Sequence, residues 1–508
     1  MNAARPLPRA PKDKRALVAV DLGAESCRIS LLRWLDGAPQ ITMVHRFANG
    51  PYQRDGLRWP LHSIEAGVDK GLRRCAALAP EGVRSVAVDG WAVDYIRLDS
   101  CGQPLAEPFC YRDERTLAVE EELYRKISKE RLREVTGVQT SRINTLCQLC
   151  ADTAAGLCGE RWLNLPEYML TRWGADPVAE YTNATHTQMI DLRRRTWSTE
   201  ILAAAGLEAH IMPRIVEPGT RIGKMAGSMA ELPEFRDTEL IAPACHDTAS
   251  AVAGISVAGD EWAYISSGTW SLIGTLLASP CTKPKALREN FTNLGAVGGQ
   301  ICFHKGISGM WLLKQCMEAW ELAGRQWEMH ELIAAARRLP APEALLEVDD
   351  PELLLSGDMP RRINRQRSER GLPLLDASPA EAPTMAALIF HSLAAKYAEV
   401  LEQLEDHTGR RLSQIVLVGG GSRNDFLCQL TAERTGRAVT RGSAESSMIG
   451  NFAVQSAALE NNLPGNDKRF AVEVSAWSVL LEKASTDDAL NGPAVTARDG
   501  MQCTDVTF

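Results

Sequence analysis

The sequence predicts an α/β protein with two domains, because two distant stretches of the chain follow one pattern. Residues 17–32 and residues 263–276 each contain an apolar strand, a turn of small residues with hydroxyl groups and glycine, and a second apolar strand. Such a hairpin exposes backbone N–H groups that suit phosphate oxygens. Two of these hairpins in different domains would hold one nucleotide from opposite sides.

The length of the chain also favours two domains, since 508 residues exceed what one hydrophobic core organises. With the paired hairpins, this predicts two actin-like ATPase (ribonuclease H-like) domains with a cleft between them. We expect a flexible tail at 1–15, an N-terminal domain at 16–249, a C-terminal domain at 250–475 and a second tail at 476–508.

The composition excludes several classes of function. A hydrophobic content of 45% and a charged content of 24% are typical of a soluble globular protein. The net charge of −8 argues against nucleic acid as a partner, and no apolar run is long enough for a membrane span. The basic, proline-rich start lacks the apolar region of a signal peptide, so we expect a cytoplasmic protein.

The 13 cysteines are scattered along the chain, as in proteins of a reducing compartment. Cys147, Cys150 and Cys158 come closest to the spacing of a metal site. No second pair of cysteines or histidines accompanies them, so we interpret them as core or partly buried thiols.

Hydrophobic periodicity predicts alternating strands and helices in the first half of the chain. The predicted strands are 17–20, 28–34, 84–89, 93–98 and 240–245, and the predicted helices are 63–79, 116–136, 144–157, 162–173 and a short one that ends at Gly254. A polar hairpin region is expected at 178–193.

The second half contains the clearest helix, because residues 384–406 carry one continuous apolar stripe between Pro383 and Gly409. A buried strand at 414–418 and a helix that ends at Gly436 follow. Residues 340–383 are rich in proline and charge and predict an irregular connection, with the arginines of 361–370 on a solvated helix face.

Asp21 ends the first strand of the first hairpin. A carboxylate there suits Mg²⁺, which keeps most of its waters and takes few protein ligands. A turn-forming aspartate explains the residue equally well. Arg28, on the outgoing strand, either pairs with phosphate or lies on the surface, and Glu25 has to point away from phosphate or help to hold the metal.

Two glycine-containing turns complete the expected nucleotide site. In the second hairpin, Thr269 has a hydroxyl that could donate to a phosphate. Gly419–Gly421 lie between a strand and a helix, where glycine admits a ligand close to the backbone and the helix N-terminus favours negative charge. Each turn alone is weak evidence, since both also occur in ordinary folds.

The residues His246, Asp247 and Thr248 lie where a strand meets a helix. One interpretation is an aspartate that caps the helix. The other is a general base, because phosphoryl transfer needs positioning and a carboxylate that takes the proton of the acceptor hydroxyl. We expect the helix N-terminus to keep Asp247 ionised.

The segment Asp89–Asp94 joins two strands around Trp91. A tryptophan flanked by carboxylates suits a sugar, which has apolar C–H faces and many hydroxyls. A tryptophan in the hydrophobic core is an equally good explanation.

Taken in order, these segments resemble the FGGY carbohydrate kinases, and most closely their rhamnulokinase branch. The similar segments are 18–28, 88–95, 111–116, 144–149, 181–185, 245–252, 266–272, 309–313 and 418–424. Single motifs are not specific, whereas the ordered set, from about residue 17 to about residue 475, is.

The resemblance implies transfer of the γ-phosphate of ATP to the 1-hydroxyl of a ketose, with Mg²⁺ at Asp21 and Asp247 as proton acceptor. It implies sugar contacts at Ala92, His246, Asp247, Thr248 and Gly306. It implies ATP contacts at Ala24, Glu25, Ser26, Cys27, Arg28, Thr269, Lys314 and Gly420.

Four of these positions depart from the family pattern. Ala92 and Cys27 replace glycines, Gly306 replaces an asparagine and Lys314 replaces a glutamine. The changes at Ala92 and Gly306 concern the sugar, so L-rhamnulose is the first expected substrate, and L-fuculose or another ketose is the alternative. An actin-like ATPase without sugar transfer is an alternative from another class, and we expect a monomer or a homodimer.

Overall fold

The computed structural model describes residues 7–157, 159–257, 259–355 and 357–484. Its contacts divide the chain into two compact units. Within the described residues, unit 1 contains everything up to Ser256, Leu276–Phe303 and the chain from Glu445 onward. Unit 2 contains Val257–Thr275 and His304–Ala444. Each unit therefore contains separate stretches of the chain, whereas the predicted domains are continuous.

Strands and helices alternate along most of the described chain. The strands are β1 (Ala16–Leu22), β2 (Ser26–Leu35), β3 (Ala38–Ala48), β4 (Tyr52–Gln53), β5 (Leu57–Arg58), β6 (Val83–Gly90), β7 (Tyr95–Leu98), β8 (Arg161–Asn164), β9 (Val178–Glu180), β10 (Ile190–Asp191), β11 (Thr196–Trp197), β12 (Arg214–Val216), β13 (Thr220–Lys224), β14 (Glu239–Ala242), β15 (Trp262–Ser267), β16 (Trp270–Leu277), β17 (Thr292–Gly295), β18 (Ile301–Ser308), β19 (Gln414–Val418) and β20 (Ala438–Arg441).

The α-helices range from short turns of helix to one of 27 residues. They are α1 (Leu61–Leu78), α2 (Leu117–Lys126), α3 (Lys129–Thr136), α4 (Thr145–Ala154), α5 (Leu165–Thr171), α6 (Tyr181–His186), α7 (Thr199–Ala205), α8 (Gly227–Ala230), α9 (Asp247–Ala253), α10 (Pro284–Arg288), α11 (Trp311–Leu322), α12 (Met329–Arg337), α13 (Met359–Glu369), α14 (Ala382–Thr408), α15 (Asp425–Thr435), α16 (Ser446–Glu460) and α17 (Lys468–Glu482). Short 3-10 helices occur at Glu114–Thr116, Ala209–Ile211, Pro233–Phe235, Val297–Gly299, Pro351–Leu354 and Gly420–Arg423.

The first sheet has the strand order β13-β14-β6-β1-β2-β3. Strand β1 pairs antiparallel with β2 and parallel with β6, and β6 pairs parallel with β14. All seven residues of β1 are buried, which agrees with a strand covered on both faces of the sheet. This pattern brings the carboxyl ends of β1, β6 and β14 to one edge.

The second sheet repeats that arrangement in the order β17-β18-β16-β15-β19-β20. Strand β15 pairs antiparallel with β16 and parallel with β19, which pairs parallel with β20. The predicted α/β class with a repeated hairpin is confirmed, because each hairpin supplies the central strand of its own six-stranded sheet.

Three local predictions in the first half are wrong. The predicted helix 162–173 begins as strand β8, because Trp162 and Leu163 pair with β7, and only then continues as α5. The predicted helix 116–136 is two helices, since the Ser128 side chain accepts a hydrogen bond from Arg131 N and starts α3. The expected polar hairpin at 178–193 contains α6 instead, which begins where the Glu180 side chain accepts from Thr182 N.

The predicted C-terminal tail begins too early. Helix α17 continues to Glu482, because four residues at helical spacing are buried: Phe470, Val474, Trp477 and Leu481. Residues 485–508 lie outside the described residues, as do residues 1–6 of the predicted N-terminal tail.

The strongest predictions for the second half are confirmed. The long helix is α14, which ends at Gly409 in the left-handed conformation, and the strand is β19. The connection at 340–383 is more regular than predicted, since α13 lies within it and buries Ile363 while its arginines are mostly exposed or half-buried.

Candidate active site

Three carboxylates of unit 1 converge because neighbouring parallel strands end together. Asp21 on β1 is the register partner of Asp89 on β6. One residue further on, Gly90 bridges to His246, which follows β14 and precedes Asp247. Ligand sites of open α/β sheets lie at this carboxyl edge of the strands.

The Asp21 carboxylate is held by two donors. Arg28, its partner across the β1–β2 hairpin, donates from Nη1 to Oδ2 at 2.9 Å, and Ser447 of α16 donates from Oγ to the same oxygen at 2.9 Å. The Arg28 guanidinium also lies 3.4 Å from Glu445. Arg28 is therefore a half-buried ion-pair partner of Asp21, not a surface residue.

Asp89 is the most deeply buried of the three carboxylates. Its Oδ2 accepts a 2.6 Å hydrogen bond from Asn451, whereas Oδ1 is buried without a hydrogen-bond partner among the described residues. Burial, followed by the negative charge of Asp21, raises the pKa of Asp89 well above its usual value.

Asp247 is the first residue of α9 and keeps 34% of its side-chain exposure. Its Oδ1 accepts from the Thr248 hydroxyl at 3.1 Å and lies 3.5 Å from His246 Nε2. Burial and then the charge of Asp21 raise the pKa of Asp247 to about 7. The helix start therefore does not keep the pKa of this group low, because desolvation and a like charge outweigh it.

The capping interpretation of Asp247 is also wrong. The capping position of α9 is His246, whose side chain makes no capping hydrogen bond. The His246 ring lies edge to face with that of His186, with centroids 4.9 Å apart. Burial lowers the pKa of His186 to about 4, so this ring is neutral near pH 7.

Trp91 is a core residue. It is 6% exposed, packs on Trp59 at 4.5 Å between ring centroids, and donates its indole N–H to Asp94 at 3.0 Å. Ala92 is buried beside it, and Val93 has a φ of +70°, which is strained for a β-branched residue. The Val93 carbonyl accepts from Thr145 and Gln148, which stabilise this conformation.

The turn between β1 and β2 directs its carbonyl oxygens towards the protein. The carbonyls of Gly23 and Glu25 accept from the Asn49 side chain and backbone N–H respectively, both at 2.9 Å. Ala24 and Ser26 are half-buried, and the Glu25 side chain is exposed. Cys27 is buried, and desolvation raises the pKa of its thiol to about 12, so it stays protonated.

In unit 2, the β15–β16 hairpin contacts the start of α11. The carbonyls of Gly268 and Thr269 accept from the backbone N–H groups of Met310 and Gly309, at 2.9 and 3.1 Å. Lys314 lies in the second turn of α11 and is half-buried. Thr269 and Lys314 therefore belong to one hairpin–helix junction.

The three glycines after β19 differ in what surrounds them. Gly419 has a φ of +78°, and a Cβ atom on it would meet the Ser267 carbonyl at 2.8 Å. A Cβ atom on Gly421 would clash with the Ser267 side chain. A Cβ atom on Gly420 would meet nothing within 4 Å, so packing does not explain that glycine.

Gly306 lies on β18 in unit 2, and a Cβ atom there would contact only the end of Leu272, at 3.0 Å. The remaining predicted residues group as follows. Unit 1 contains Asp21, Ala24, Glu25, Ser26, Cys27, Arg28, Ala92, His246, Asp247 and Thr248, and unit 2 contains Thr269, Gly306, Lys314 and Gly420.

Sequence reasoning missed the residues of α16 at this site. Ser447 and Asn451 bond Asp21 and Asp89 from more than 350 positions away, and the sequence carries no signal for that contact. It also missed Glu180 and Thr182, although 181–185 was among the similar segments.

Among the described residues, no group of three or more histidines, cysteines, aspartates and glutamates is arranged to hold a metal ion. The thiol of Cys147 is buried and that of Cys150 half-buried, as predicted, while Cys158 lies outside the described residues. No helix in the described part of the chain is both long and apolar enough to span a membrane.

Comparison with known proteins identifies the family. Residues 17–254 match the N-terminal domain of the FGGY family of carbohydrate kinases, and residues 263–459 match its C-terminal domain. The chain belongs to the FGGY family of carbohydrate kinases. As an FGGY kinase it is an ATP-dependent sugar kinase that transfers phosphate to an alcohol group, and this favours sugar transfer over the alternative of an ATPase alone.

Two curated relatives and one solved structure resemble this FGGY kinase over most of its length. The rhamnulokinase of Enterococcus faecalis (strain ATCC 700802 / V583) is 36% identical over 87% of this chain and 89% of the relative. The rhamnulokinase of Pectobacterium carotovorum subsp. carotovorum (strain PC1) is 35% identical over 87% of this chain and 88% of the relative. The gluconate kinase of Lactobacillus acidophilus superposes with a TM-score of 0.73 at 15% identity, covering 93% of this chain and 97% of that one.

The structural likeness confirms the two-domain FGGY fold of actin-like architecture. At 15% identity it concerns the fold alone.

Proposed function

We propose that this FGGY kinase transfers the γ-phosphate of ATP to the 1-hydroxyl of L-rhamnulose. The observation that carries the proposal is the Asp247 carboxylate, which is partly exposed at the carboxyl edge of the first sheet and has a pKa of about 7. A general base works best when its pKa lies near the operating pH. The rhamnulokinase relatives favour L-rhamnulose among the ketoses.

In the proposed reaction, the oxygen of the sugar 1-hydroxyl bonds to the γ-phosphorus. Asp247 accepts the proton that this hydroxyl loses. The bond between that phosphorus and the bridging oxygen breaks, and ADP leaves with the electron pair. In unit 1, His246 and Thr248 flank the base and bind sugar hydroxyls with the Ala92 backbone; in unit 2, Gly306 remains a proposed sugar contact. His246 also contacts neutral His186, which limits the positive charge beside the sugar.

We assign nucleotide binding to both hairpins and the glycine turn. Asn49 holds the carbonyls of the first turn, so the N–H groups of 24 and 25, which precede β2, are the donors we assign to phosphate, with residues 26–28 of the strand as further proposed nucleotide contacts. Thr269 and Lys314 share one junction in unit 2. Gly420 has open space where a side chain would lie, which suits close approach by a ligand.

The residues present fit Mg²⁺ bound mainly through water and phosphate. Both hydrogen bonds to Asp21 reach Oδ2, which leaves Oδ1 as the oxygen we assign to the ion. The lack of a multi-residue metal cluster among the described residues agrees with an ion that takes few protein ligands. When bound, Mg²⁺ neutralises charge on the transferred phosphate.

Kinetics with a set of sugars tests the proposal. Purified protein with Mg-ATP is given L-rhamnulose, L-fuculose or other ketoses, and ADP release is measured. The aldose L-rhamnose, which lacks the primary 1-hydroxyl, is the matched control. We expect the highest kcat/KM for L-rhamnulose and a product with phosphate on C1. A higher kcat/KM for another ketose overturns the substrate, and no ketose-dependent ADP release overturns the reaction.

A further inference from the structure

We propose that Glu180 and Thr182 are positioning residues that fix the backbone before Asp247. They do so through hydrogen bonds to the N–H groups of Cys245 and His246. The inference rests on the proposed role of Asp247 as the proton acceptor and extends the site to two residues that do not touch the sugar.

The contacts form one directed chain. Glu180 Oε2 accepts from Cys245 N at 2.8 Å and from the Thr182 hydroxyl at 2.5 Å. Because that hydroxyl gives its proton to Glu180, its oxygen is oriented to accept, and it does so from His246 N at 3.3 Å. Glu180 Oε1 accepts from Thr182 N at 2.9 Å, which ties the two positioning residues together.

The carbonyl groups of the segment they hold are bonded by other residues, since the Ser250 hydroxyl donates to the Ala244 carbonyl at 2.8 Å. Residues 243–246 join the end of β14 to the start of α9, and α9 has no side-chain cap. Buried backbone N–H groups need acceptors, and here Glu180 and Thr182 supply them. On the other side, the Cys245 carbonyl accepts from Gly90 N at 2.9 Å. Cys245 is therefore held from both sides, against β6 and against Glu180.

The acceptors are themselves fixed. Glu180 and Thr182 are fully buried, and the Glu180 backbone N–H donates to Glu167 at 3.1 Å. Glu167 also accepts from Asn183 at 3.0 Å. A buried carboxyl group destabilises the fold unless it is hydrogen-bonded. Both oxygens of Glu180 accept hydrogen bonds from backbone N–H groups. An error of about 1 Å in the position of a catalytic group costs about 100-fold in rate.

The test replaces the Thr182 hydroxyl by a methyl group of equal size. We expect Thr182→Val to lower kcat between about tenfold and 100-fold, while KM for ATP stays within about twofold. Thr182→Ser keeps the hydroxyl and should restore most of kcat. The matched control is Thr136→Val, because Thr136 is equally buried, donates to Leu132 O and accepts from Val138 N, but lies in α3.

A purely structural role for Thr182 predicts that both valine variants lose thermal stability alike and keep kcat. If Thr182→Val keeps kcat within about twofold of the parent, the positioning role is wrong. Glu180→Gln provides a second variant. The backbone N–H groups of Thr182 and Cys245 each donate to a different oxygen of the Glu180 carboxylate, whereas a glutamine amide has only one acceptor oxygen. Activity that survives in Asp247→Asn would instead refute Asp247 as the base, and a parent enzyme without ketose-dependent ADP release would refute the proposed function, so these failures are distinguishable.

Discussion

Asp21 and Arg28 face each other across the hairpin of β1 and β2, with Arg28 Nη1 2.9 Å from Asp21 Oδ2. The Arg28 side chain is half-buried, and the Asp21 side chain is buried. The charges of this pair reach the base, because the negative charge of Asp21 raises the pKa of Asp247 and the positive charge of Arg28 lowers it. After burial, which is the largest cause, the charges of this hairpin therefore also contribute to the pKa of a residue at the start of α9.

The first prediction concerns the pH dependence of kcat/KM for the sugar. Since Asp247 must be ionised to accept a proton, kcat/KM for the sugar should fall as pH decreases, with a midpoint at about 7. Arg28→Met removes the charge that favours ionisation, so the midpoint should rise by roughly half a pH unit or more. The measurement is a pH profile of kcat/KM at saturating ATP.

Arg33→Met is the matched control, because Arg33 lies on the same strand and pairs with Glu81 at 2.7 Å, away from the three carboxylates. Its profile should match that of the parent. A midpoint near the ordinary value of an aspartate, or equal shifts in both variants, would contradict the prediction.

The second prediction links Asp247 to stability. A carboxyl group whose pKa is raised in the folded state favours folding while it is protonated. That contribution is lost as the pH rises from the pKa of the unfolded state through the pKa of the folded state, about 7. Asp247→Asn should therefore raise the melting temperature relative to the parent at pH 8, and by less at pH 4.5. Thermal unfolding at the two pH values measures this difference, and an equal effect at both would show that the pKa is not raised.

The third prediction separates two adjacent glycines. Gly420→Ala places a Cβ atom in open space, so the melting temperature should stay close to that of the parent while KM for ATP rises about tenfold if a nucleotide approaches there. Gly421→Ala should instead destabilise by about 1–3 kcal/mol, because its Cβ atom would clash with Ser267. Unchanged ATP binding in Gly420→Ala would remove this glycine from the site.

The sequence predicted the architecture well because the informative signals are local. Strand β19 and helix α14 have strong periodicity and clear ends, and both were predicted within a few residues. The errors arose where tertiary contacts override local pattern. Residues 161–164 look helical beside α5, but pairing with β7 makes them a strand.

The candidate site was predictable in its chain-local parts only. Asp21 and Asp247 were predicted as site residues because each follows an apolar run, and the structure brings Asp21 and the residue before Asp247 to one edge of the first sheet. Asn451 was not, since an asparagine within a helix has no pattern that reveals its bond to Asp89. The raised pKa of Asp247 was also missed, because the sequence shows the helix start but not the burial and the nearby charge that outweigh it.

Single-turnover and steady-state kinetics of Asp247→Asn test the central claim most directly. The substitution keeps the size of the side chain and removes the group that accepts the proton, so ketose-dependent ADP release should fall by about 10²–10⁴-fold, with ATP binding retained. A variant that keeps sugar phosphorylation within a few-fold of the parent would contradict the assignment of Asp247 as the base.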